Sequence, residues 1–368
     1  MNLAHYAEGR NNNFNLIRIL AALAVLVSHS YVVVTGSKEA EPLAALLGVT
    51  WGSMAVDVFF ITSGFLVTSS LLKRKSIIEF IAARTLRVYP ALLPMTFLSI
   101  FVLGLTFTSY PAMDFLRDPV THTFAIKNIT LIFGVTGNLP GIFESLPYPR
   151  LVNVSLWTLP FEIRMYGILT IIWLAAHALG KVKVTTIRFL ILFLTIAALL
   201  AHFRDHFFFH ATDQFHRLFY MFFLGATFFI LREHIVLTRK IFFPVALSLL
   251  ISTLQQDVFF VVYHIVIAYL LFWIAYIPSG AIRNYNRLGD YSYGVYIYAF
   301  PVQQSVAALI PGVSVGGVVL ASSAITLFFA FLSWHTIEKR ALGLKDRAVK
   351  ASRWIIGIIQ TASPSKSK

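Results

Sequence analysis

Apolar stretches separated by short polar connections run through almost the whole chain, from Phe14 nearly to Glu338. A helix of about 20 residues crosses a hydrocarbon core of ~30 Å, and most of the stretches have about this length. The pattern predicts ten spans, with boundaries good to a few residues, at 14–35, 51–72, 85–109, 155–179, 184–203, 215–232, 240–254, 257–278, 290–311 and 314–335. Only the polar residues Ser252-Thr253 and Gln255-Gln256-Asp257 mark the boundary between the seventh and eighth spans, so these form either a tight helical hairpin or a broken span. The predicted fold class is all-α, a polytopic transmembrane helix bundle.

Composition agrees with a membrane protein and leaves no segment for a sizeable soluble domain. Hydrophobic residues make up 58% of the 368 residues and charged residues only 12%, whereas charged residues approach a quarter of soluble domains. We divide the chain into an integral-membrane domain, 1–342, and a basic tail, 343–368, whose low-complexity end we expect to be disordered. The absence of cysteine excludes disulfides, a thiolate nucleophile and cysteine-based metal sites.

Charge in the connections predicts the orientation of the chain. The formal net charge is +14, but Lys and Arg lie in short clusters between apolar stretches, which indicates topology rather than nucleic-acid binding. Connections after even-numbered spans are basic, as in Arg74, Lys75, Arg84 and Arg87, and those after odd-numbered spans carry no basic excess. By the positive-inside rule both termini are cytoplasmic. The long outer connection 109–153 is either a substrate cap or a plain connector with an interfacial helix around 120–133.

Arg18 and His29 are costly residues inside the first span. Eleven residues at 100° each leave them about 20° apart around the helix and about 16 Å apart along it, so they share one face. Arg18 lies near the cytoplasmic end and His29 in the outer third. A snorkelling arginine and a hydrogen-bonded bundle histidine are the ordinary alternative.

Asp57, Glu162 and His264 are predicted to lie near the depth of His29, about six or seven residues from the outer ends of their spans. A carboxylate that accepts a hydrogen bond from an imidazole fixes its tautomer and raises its basicity, which a general base requires. Alternatively, the carboxylates pair with Arg164 or cap local backbone.

Arg84 and Arg87 stand three residues apart at the inner end of the third span, so both guanidinium groups face one way. Two such groups suit phosphate oxygens, although an arginine pair at this position is also typical of a topology anchor. The outer histidines His202, His206, His210 and His216 are spaced for a metal site, but an interfacial loop fits their aromatic and acidic neighbours better. We expect no metal.

Several short motifs also occur in a fixed order. They are Arg18-x10-His29, Val56-Asp-Val-Phe-Phe-Ile-Thr-Ser-Gly-Phe65, Arg84-x-x-Arg87 with Tyr89-Pro90, Trp157-Thr-Leu-x-x-Glu162 with Tyr166, Ser292-Tyr293 leading to Pro301, and Glu338. Each motif alone is weak, and together they are specific. From about 14 to 342 the chain resembles the acyltransferase-3 family of integral-membrane acyltransferases.

The resemblance implies a ten-span enzyme of the bacterial inner membrane. Such enzymes transfer an acyl group, most often acetyl, from cytoplasmic acyl-CoA to a hydroxyl of a carbohydrate or lipid-linked glycan, usually on the outer side. By position, His29 would be catalytic together with Arg18, and Arg84 and Arg87 would bind the CoA phosphates. Glu162 and Asp57 match motif positions and are further candidates for the catalytic site.

The chain departs from the family pattern in three respects. Many members have a histidine shortly before the proline at 301, where this sequence has Ala299-Phe300-Pro301. Many have a second acidic residue where Ile163 stands. Some carry a C-terminal esterase-like domain, whereas this chain stops some 30 residues after its last span, so we expect it to act alone or with a separate partner.

Transport is the alternative function. Intramembrane His, Asp, Glu and Arg also form proton or ion relays in transporters and lipid-linked-sugar flippases. A solute carrier is expected to have related halves, and the sequence contains no such repeat. In an acyltransferase, His29 is either the general base on the acceptor hydroxyl or a transiently acylated nucleophile.

Overall fold

The computed structural model describes residues 1–9, 11–73, 77–178, 184–344 and 347. Within these residues the chain is helical and contains isolated β-bridges but no strand. Ten major helices follow in order. They are α1 (Phe14–Thr35), α2 (Trp51–Lys73), α3 (Ile77–Leu98), α4 (Leu159–Ala178), α5 (Val184–Phe209), α6 (Gln214–Ile230), α7 (Arg239–Ser252), α8 (Gln256–Tyr276), α9 (Ser292–Leu309) and α10 (Val315–Ser333).

Three helices extend beyond these bounds. Helix α3 continues through a π-helical segment, Ser99–Gly104, to Phe107. A 3-10 turn, Ser155–Thr158, leads into α4, and α10 continues through Trp334–Glu338 to Gly343. Every predicted span therefore overlaps a helix, although α3 begins eight residues before the predicted 85 and α5 ends six residues after the predicted 203. The all-α class is confirmed.

Seven helical segments within the described residues are long and apolar enough to cross a membrane. The remaining three of the predicted ten are α6, α7 and α9, with 17, 14 and 18 residues. At ~1.5 Å per residue, α7 is about 21 Å long, which is shorter than a full crossing. Residues 253–255 join α7 to α8, and the two helices pack together as a hairpin. The count of ten and the side of the termini stay predictions.

Helix α6 packs most extensively on α2 and, next to that, on α5. Two glycines allow this packing. A Cβ atom on Gly64 would lie 1.9 Å from the carbonyl oxygen of Phe222, and one on Gly225 would lie 2.0 Å from that of Ile61. Because these positions carry no side chain, the two backbones touch, as is common between membrane helices. Helix α1 packs against α2, α9 and α10.

The outer connection has structure of its own. It contains the helices Ala112–Arg117 and Pro119–Thr130, and the Asp118 side chain caps the second of them. The predicted helix around 120–133 is thus present. A separate small core, which includes Phe115, Phe124 and Ile142, holds the connection against Ile100 in the C-terminal continuation of α3. Most of the predicted tail, 343–368, and the basic residues 74, 75, 181 and 183 lie outside the described residues.

Candidate active site

A cavity of about 460 Å³ lies among α1, α2, α3, α4 and α9. Four of the six predicted site residues line it: Arg18, Arg84, Arg87 and Glu162. These residues come from three helices that are distant in sequence, so only the folded bundle brings them together. His29 and Asp57 are not among the residues that line this cavity.

Asp290 binds two of the three arginines. Its Oδ2 atom lies 2.6 Å from Nη1 of Arg18 and 2.7 Å from Nη2 of Arg87, and its Oδ1 atom accepts a hydrogen bond from Ser292. Burial by itself would raise the pKa of Asp290, but the two guanidinium groups and the hydrogen bonds of Ser292 outweigh it and hold the pKa at about 2. Glu338, 2% exposed, lies 3.9 Å from Nη1 of Arg87. Asp290 therefore joins the first and third helices at the cavity wall.

Arg84 differs from the other two arginines. It makes no ion pair within the described part of the chain, and its buried Nε has no hydrogen-bond partner there. Its guanidinium carbon lies 5.7 Å from the ring centre of Tyr166 and 6.0 Å from that of Phe80, which are cation–π distances. Arg84 is thus a cation at the cavity wall to which the described part of the chain supplies no carboxylate.

Glu162 is part of a small polar group in the same cavity. Its Oε1 atom accepts hydrogen bonds from the hydroxyl of Tyr166, one helical turn along α4, and from Oγ of Ser63 on α2 at 3.2 Å. The two hydroxyl oxygens are 3.3 Å apart. Residues four apart share one helix face. Glu162 of the Trp157-Thr-Leu-x-x-Glu162 motif and Tyr166 therefore lie on the same face of α4 and belong to one hydrogen-bonded group.

His29 does not line the cavity and packs against α9 instead. The half-buried imidazole meets the ring of Phe300 edge to face, with 5.3 Å between ring centres. Its Nδ1 atom is buried and has no hydrogen-bond partner among the described residues. Tyr296, which lines the cavity, precedes Phe300 by one turn of α9. The ring of Phe300, in the segment that departs from the family pattern, therefore packs against the candidate base.

The depths of the carboxylates differ from the prediction. Glu41 accepts hydrogen bonds from Ser28 on α1 and from the backbone N–H of Trp51, so the start of α2 is level with His29. Asp57 is then six residues, about 9 Å, deeper than His29, and Ser63, the partner of Glu162, is about 18 Å deeper. The prediction of a common level for His29, Asp57 and Glu162 is wrong, because these spans do not begin at the same depth. Glu162 instead lies near the depth of Arg18.

Asp57 is held in a buried ion pair. Its Oδ1 atom accepts a hydrogen bond from Nε of Arg217 at 3.0 Å and lies 2.9 Å from Nη2, and its Oδ2 atom accepts a hydrogen bond from the hydroxyl of Tyr263. The alternative in which this carboxylate pairs with an arginine is therefore found, but with Arg217 rather than Arg164. Arg217 lies within the predicted sixth span, where a charged residue is costly and needs a partner. Its position in the sequence was therefore a signal that could have identified it as the partner of Asp57.

The outer histidines are distributed over several contacts. Nε2 of His202 lies 2.9 Å from Nε2 of His264, whose Nδ1–H donates to the carbonyl of Phe260. His206 pairs with Asp257 at 3.0 Å and His216 with Asp205 at 2.6 Å. Among the described residues, no group of three His, Cys, Asp or Glu side chains has a geometry that suits a metal ion.

Comparison with known proteins decides between the two functional interpretations. The family model described as an acyltransferase domain, acyltransferase-3, matches residues 11–335. The chain belongs to this acyltransferase family. It is 31% identical over 342 residues to the O-acetyl transferase of Shigella phage Sf6, an alignment that covers 90% of this chain and 96% of the phage protein.

A shorter similarity links the chain to nodulation protein 10 of Rhizobium leguminosarum bv. viciae. The two are 35% identical over 89 residues, 24% of this chain and 23% of the nodulation protein. No solved structure matches the chain. Family membership and the apolar helices make the protein a multi-pass membrane acyltransferase, which favours acyl transfer over solute transport.

Proposed function

We propose that the protein is an O-acetyltransferase of the bacterial inner membrane, which moves an acetyl group from cytoplasmic acetyl-CoA to a hydroxyl of a surface glycan or its lipid-linked precursor. The observation that carries the proposal is the cavity in which Arg18, Arg84, Arg87 and Glu162 meet, below the outer end of the helix that bears His29. The printed name of the phage relative supports acetyl as the group transferred.

The donor enters at the end of the cavity where the arginines lie. Charge in the connections assigns this end to the cytoplasm, where acyl-CoA is made. Guanidinium groups bind phosphate oxygens through charge-assisted hydrogen bonds, so Arg84 and Arg87 are the donor-binding residues, with Arg18 nearby. The thioester end of the donor then extends past Glu162 and Tyr296 toward His29. Apolar walls such as Phe59 and Phe60 exclude water from the thioester.

His29 removes the proton from the acceptor hydroxyl. The hydroxyl oxygen attacks the thioester carbonyl carbon, the C–S bond breaks, and the CoA thiolate takes the proton from the imidazolium. The Nδ1 atom is suited to this role because it makes no hydrogen bond among the described residues. A covalent route, in which His29 first carries the acetyl group, uses the same residue. A catalytic role for Asp57 stays a prediction. Because Asp57 is paired with Arg217, such a role is indirect.

The acceptor reaches His29 from the outer side, beneath the segment 144–151. This segment packs on α9, because Gln304 donates hydrogen bonds to the backbone carbonyls of Tyr148 and Leu151, both at 2.8 Å. The ring of Tyr148 lies 6.2 Å from that of Phe300, the residue that contacts His29. A hydroxyl-bearing sugar that enters there meets aromatic surface next to the candidate base.

The purified protein, given radiolabelled acetyl-CoA and the membrane glycan fraction of its host, is expected to label the glycan. The His29→Ala variant should lose at least about a hundredfold in rate, since general-base catalysis contributes on that order. Its affinity for CoA should persist, because His29 does not line the donor cavity.

The matched control is His234→Ala, a change of an exposed histidine in the connection between α6 and α7. This variant should label the glycan at the wild-type rate. If His29→Ala transfers acetyl as fast as the wild type, the proposed role of His29 is wrong. A labelled acetyl group trapped on the wild-type protein alone would identify the covalent route.

A further inference from the structure

The three arginines of the cavity are not equivalent, although all three were predicted to serve the donor or the chemistry. Arg18 and Arg87 share one carboxylate oxygen of Asp290, whereas Arg84 has no carboxylate partner among the described residues. A phosphate that binds Arg87 must compete with an ion pair of 2.7 Å, and one that binds Arg84 has no such competitor. The difference suggests a division of roles.

Asp290 has the contacts of a positioning residue. Both of its oxygens are used, one by the two arginines and the other by Ser292 at the start of α9. Its side chain is 13% exposed, so water contributes little to its solvation. The carboxylate therefore fixes the first, third and ninth helices relative to one another at one point of the cavity wall.

The two guanidinium groups depend on Asp290 for their closeness. Because Nη1 of Arg18 and Nη2 of Arg87 are within 2.6 and 2.7 Å of the same oxygen, these nitrogens are no more than about 5.3 Å apart. Two like charges at that distance repel each other in a partly buried site. Glu338 adds a second negative charge near Arg87, at 3.9 Å, but the structure shows no such contact with Arg18.

The contacts of Arg84 leave its hydrogen-bond donors available to a ligand. Its guanidinium lies against Tyr166, the residue that donates a hydrogen bond to Glu162, so it is fixed by ring contacts and keeps its donors for another partner. A buried Nε donor without an acceptor is costly, and an anion in the cavity would satisfy it.

We infer that Asp290 is a positioning residue of the donor site, which holds Arg18 and Arg87 together, and that Arg84 is the arginine that binds the donor phosphate. The inference rests on the proposed use of acyl-CoA as donor. Asp290 touches neither donor nor acceptor and acts through Arg18 and Arg87. Within the arginine pair assigned to the donor, Arg84 supplies most of the affinity, and Arg87 mainly shapes the site.

The experiment compares Asp290→Ala, Asp290→Asn and Arg84→Ala as purified proteins, with acetyl-CoA hydrolysis or transfer and the binding of CoA as readouts. Arg84→Ala should raise KM for acetyl-CoA and weaken CoA binding about tenfold or more, with kcat changed little. Asp290→Ala should lower kcat about tenfold or more with a smaller change in KM. Asp290→Asn keeps the shape of the side chain and an acceptor for Ser292, so it disturbs the fold less than Asp290→Ala. It should nevertheless show the same loss of kcat, because it lacks the negative charge.

Chemical rescue separates positioning from general loss of structure. Formate at millimolar concentration should restore part of kcat to Asp290→Ala, because it replaces the missing carboxylate in an open cavity, whereas chloride should not. Guanidinium ion should lower KM for Arg84→Ala. The matched control is Asp205→Ala: Asp205 also bridges two basic side chains, Arg204 and His216, but lies away from the cavity. Formate should have no effect on that variant.

The outcomes distinguish the inference from the proposed function. If the wild type neither binds CoA nor uses acetyl-CoA, the proposed function fails. If the wild type uses acetyl-CoA but both Asp290 variants keep its kcat, the positioning role is wrong. A loss in both that formate does not restore also contradicts it. If Arg84→Ala binds CoA as tightly as the wild type, the assignment of Arg84 is wrong.

Discussion

At the scale of single residues, the costly charges of this protein fall into two kinds. Asp57 with Arg217, and Asp290 with Arg18 and Arg87, are fully paired and hold helices together. Arg84 and Nδ1 of His29 lack partners among the described residues. A buried polar atom without a partner is a liability unless a ligand satisfies it. The unpaired groups are therefore the better candidates for contact with substrate.

Acid should weaken the contact between Asp290 and its arginines. Its pKa of about 2 lies below the ordinary value of 3.8. A carboxylate with a depressed pKa stabilises the fold above its ordinary pKa and loses that contribution as the pH falls toward the depressed value.

This predicts that the melting temperature of the detergent-solubilised wild type falls between pH 5 and pH 2.5. The melting temperature of Asp290→Asn should fall less over the same range, because its amide does not titrate. Equal falls in the two proteins would mean that Asp290 contributes nothing to the acid sensitivity.

At the scale of elements, the contact between α2 and α6 is set by glycine. Motif position Gly64 lies against the backbone of Phe222, and Gly225 lies against that of Ile61. The same stretch of α2 also carries Ser63, which binds Glu162 on α4. Close packing on α6 therefore helps to fix the depth at which the polar group of the cavity is held.

Gly225→Ala should destabilise the protein by about 1–3 kcal/mol, the usual cost of excess volume in a packed interior. The added Cβ would lie 2.0 Å from a backbone carbonyl oxygen, which cannot rotate away as a side chain does. Thermal unfolding in detergent measures the change. Gly167→Ala in α4 is the control, since nothing lies within 4 Å of its added Cβ. Alanine there should be neutral or stabilising, and a similar loss in both variants would contradict the packing argument.

At the scale of the whole molecule, the cavity and His29 lie toward opposite ends of one helix. Arg18 lines the cavity, and His29 is about 16 Å farther along α1, level with the start of α2. An acyl group that passes from one end to the other crosses much of the bundle. The sidedness of the proposed reaction therefore depends on the orientation of the chain.

Single-cysteine labelling tests that orientation cleanly, because the chain contains no cysteine. Ser145→Cys lies in the exposed outer connection, and Asn284→Cys lies in the exposed segment before α9. In spheroplasts, an impermeant maleimide should label the first variant, and the second only after the membrane is opened. The reverse pattern would place the arginines outside and exclude a cytoplasmic donor site at that end.

The sequence by itself determined the helical class, the approximate positions of the main helices and the order of the motifs, because apolar length and the charge between apolar stretches act locally along the chain. The shared face of Arg18 and His29 also follows from helix geometry alone. The match of the family model to residues 11–335 confirms the family that the motifs indicated.

Only the tertiary structure decided which charges meet. Asp290 was not among the predicted site residues, yet it binds two arginines that lie 203 and 272 residues away. Glu162 lies with Arg18 rather than with His29, because its partner Ser63 is about 18 Å along α2 from the end that Glu41 ties to Ser28. Helical periodicity fixes the face of a residue on its own helix, but the relative depth and pairing of helices depend on contacts between residues that are distant in sequence.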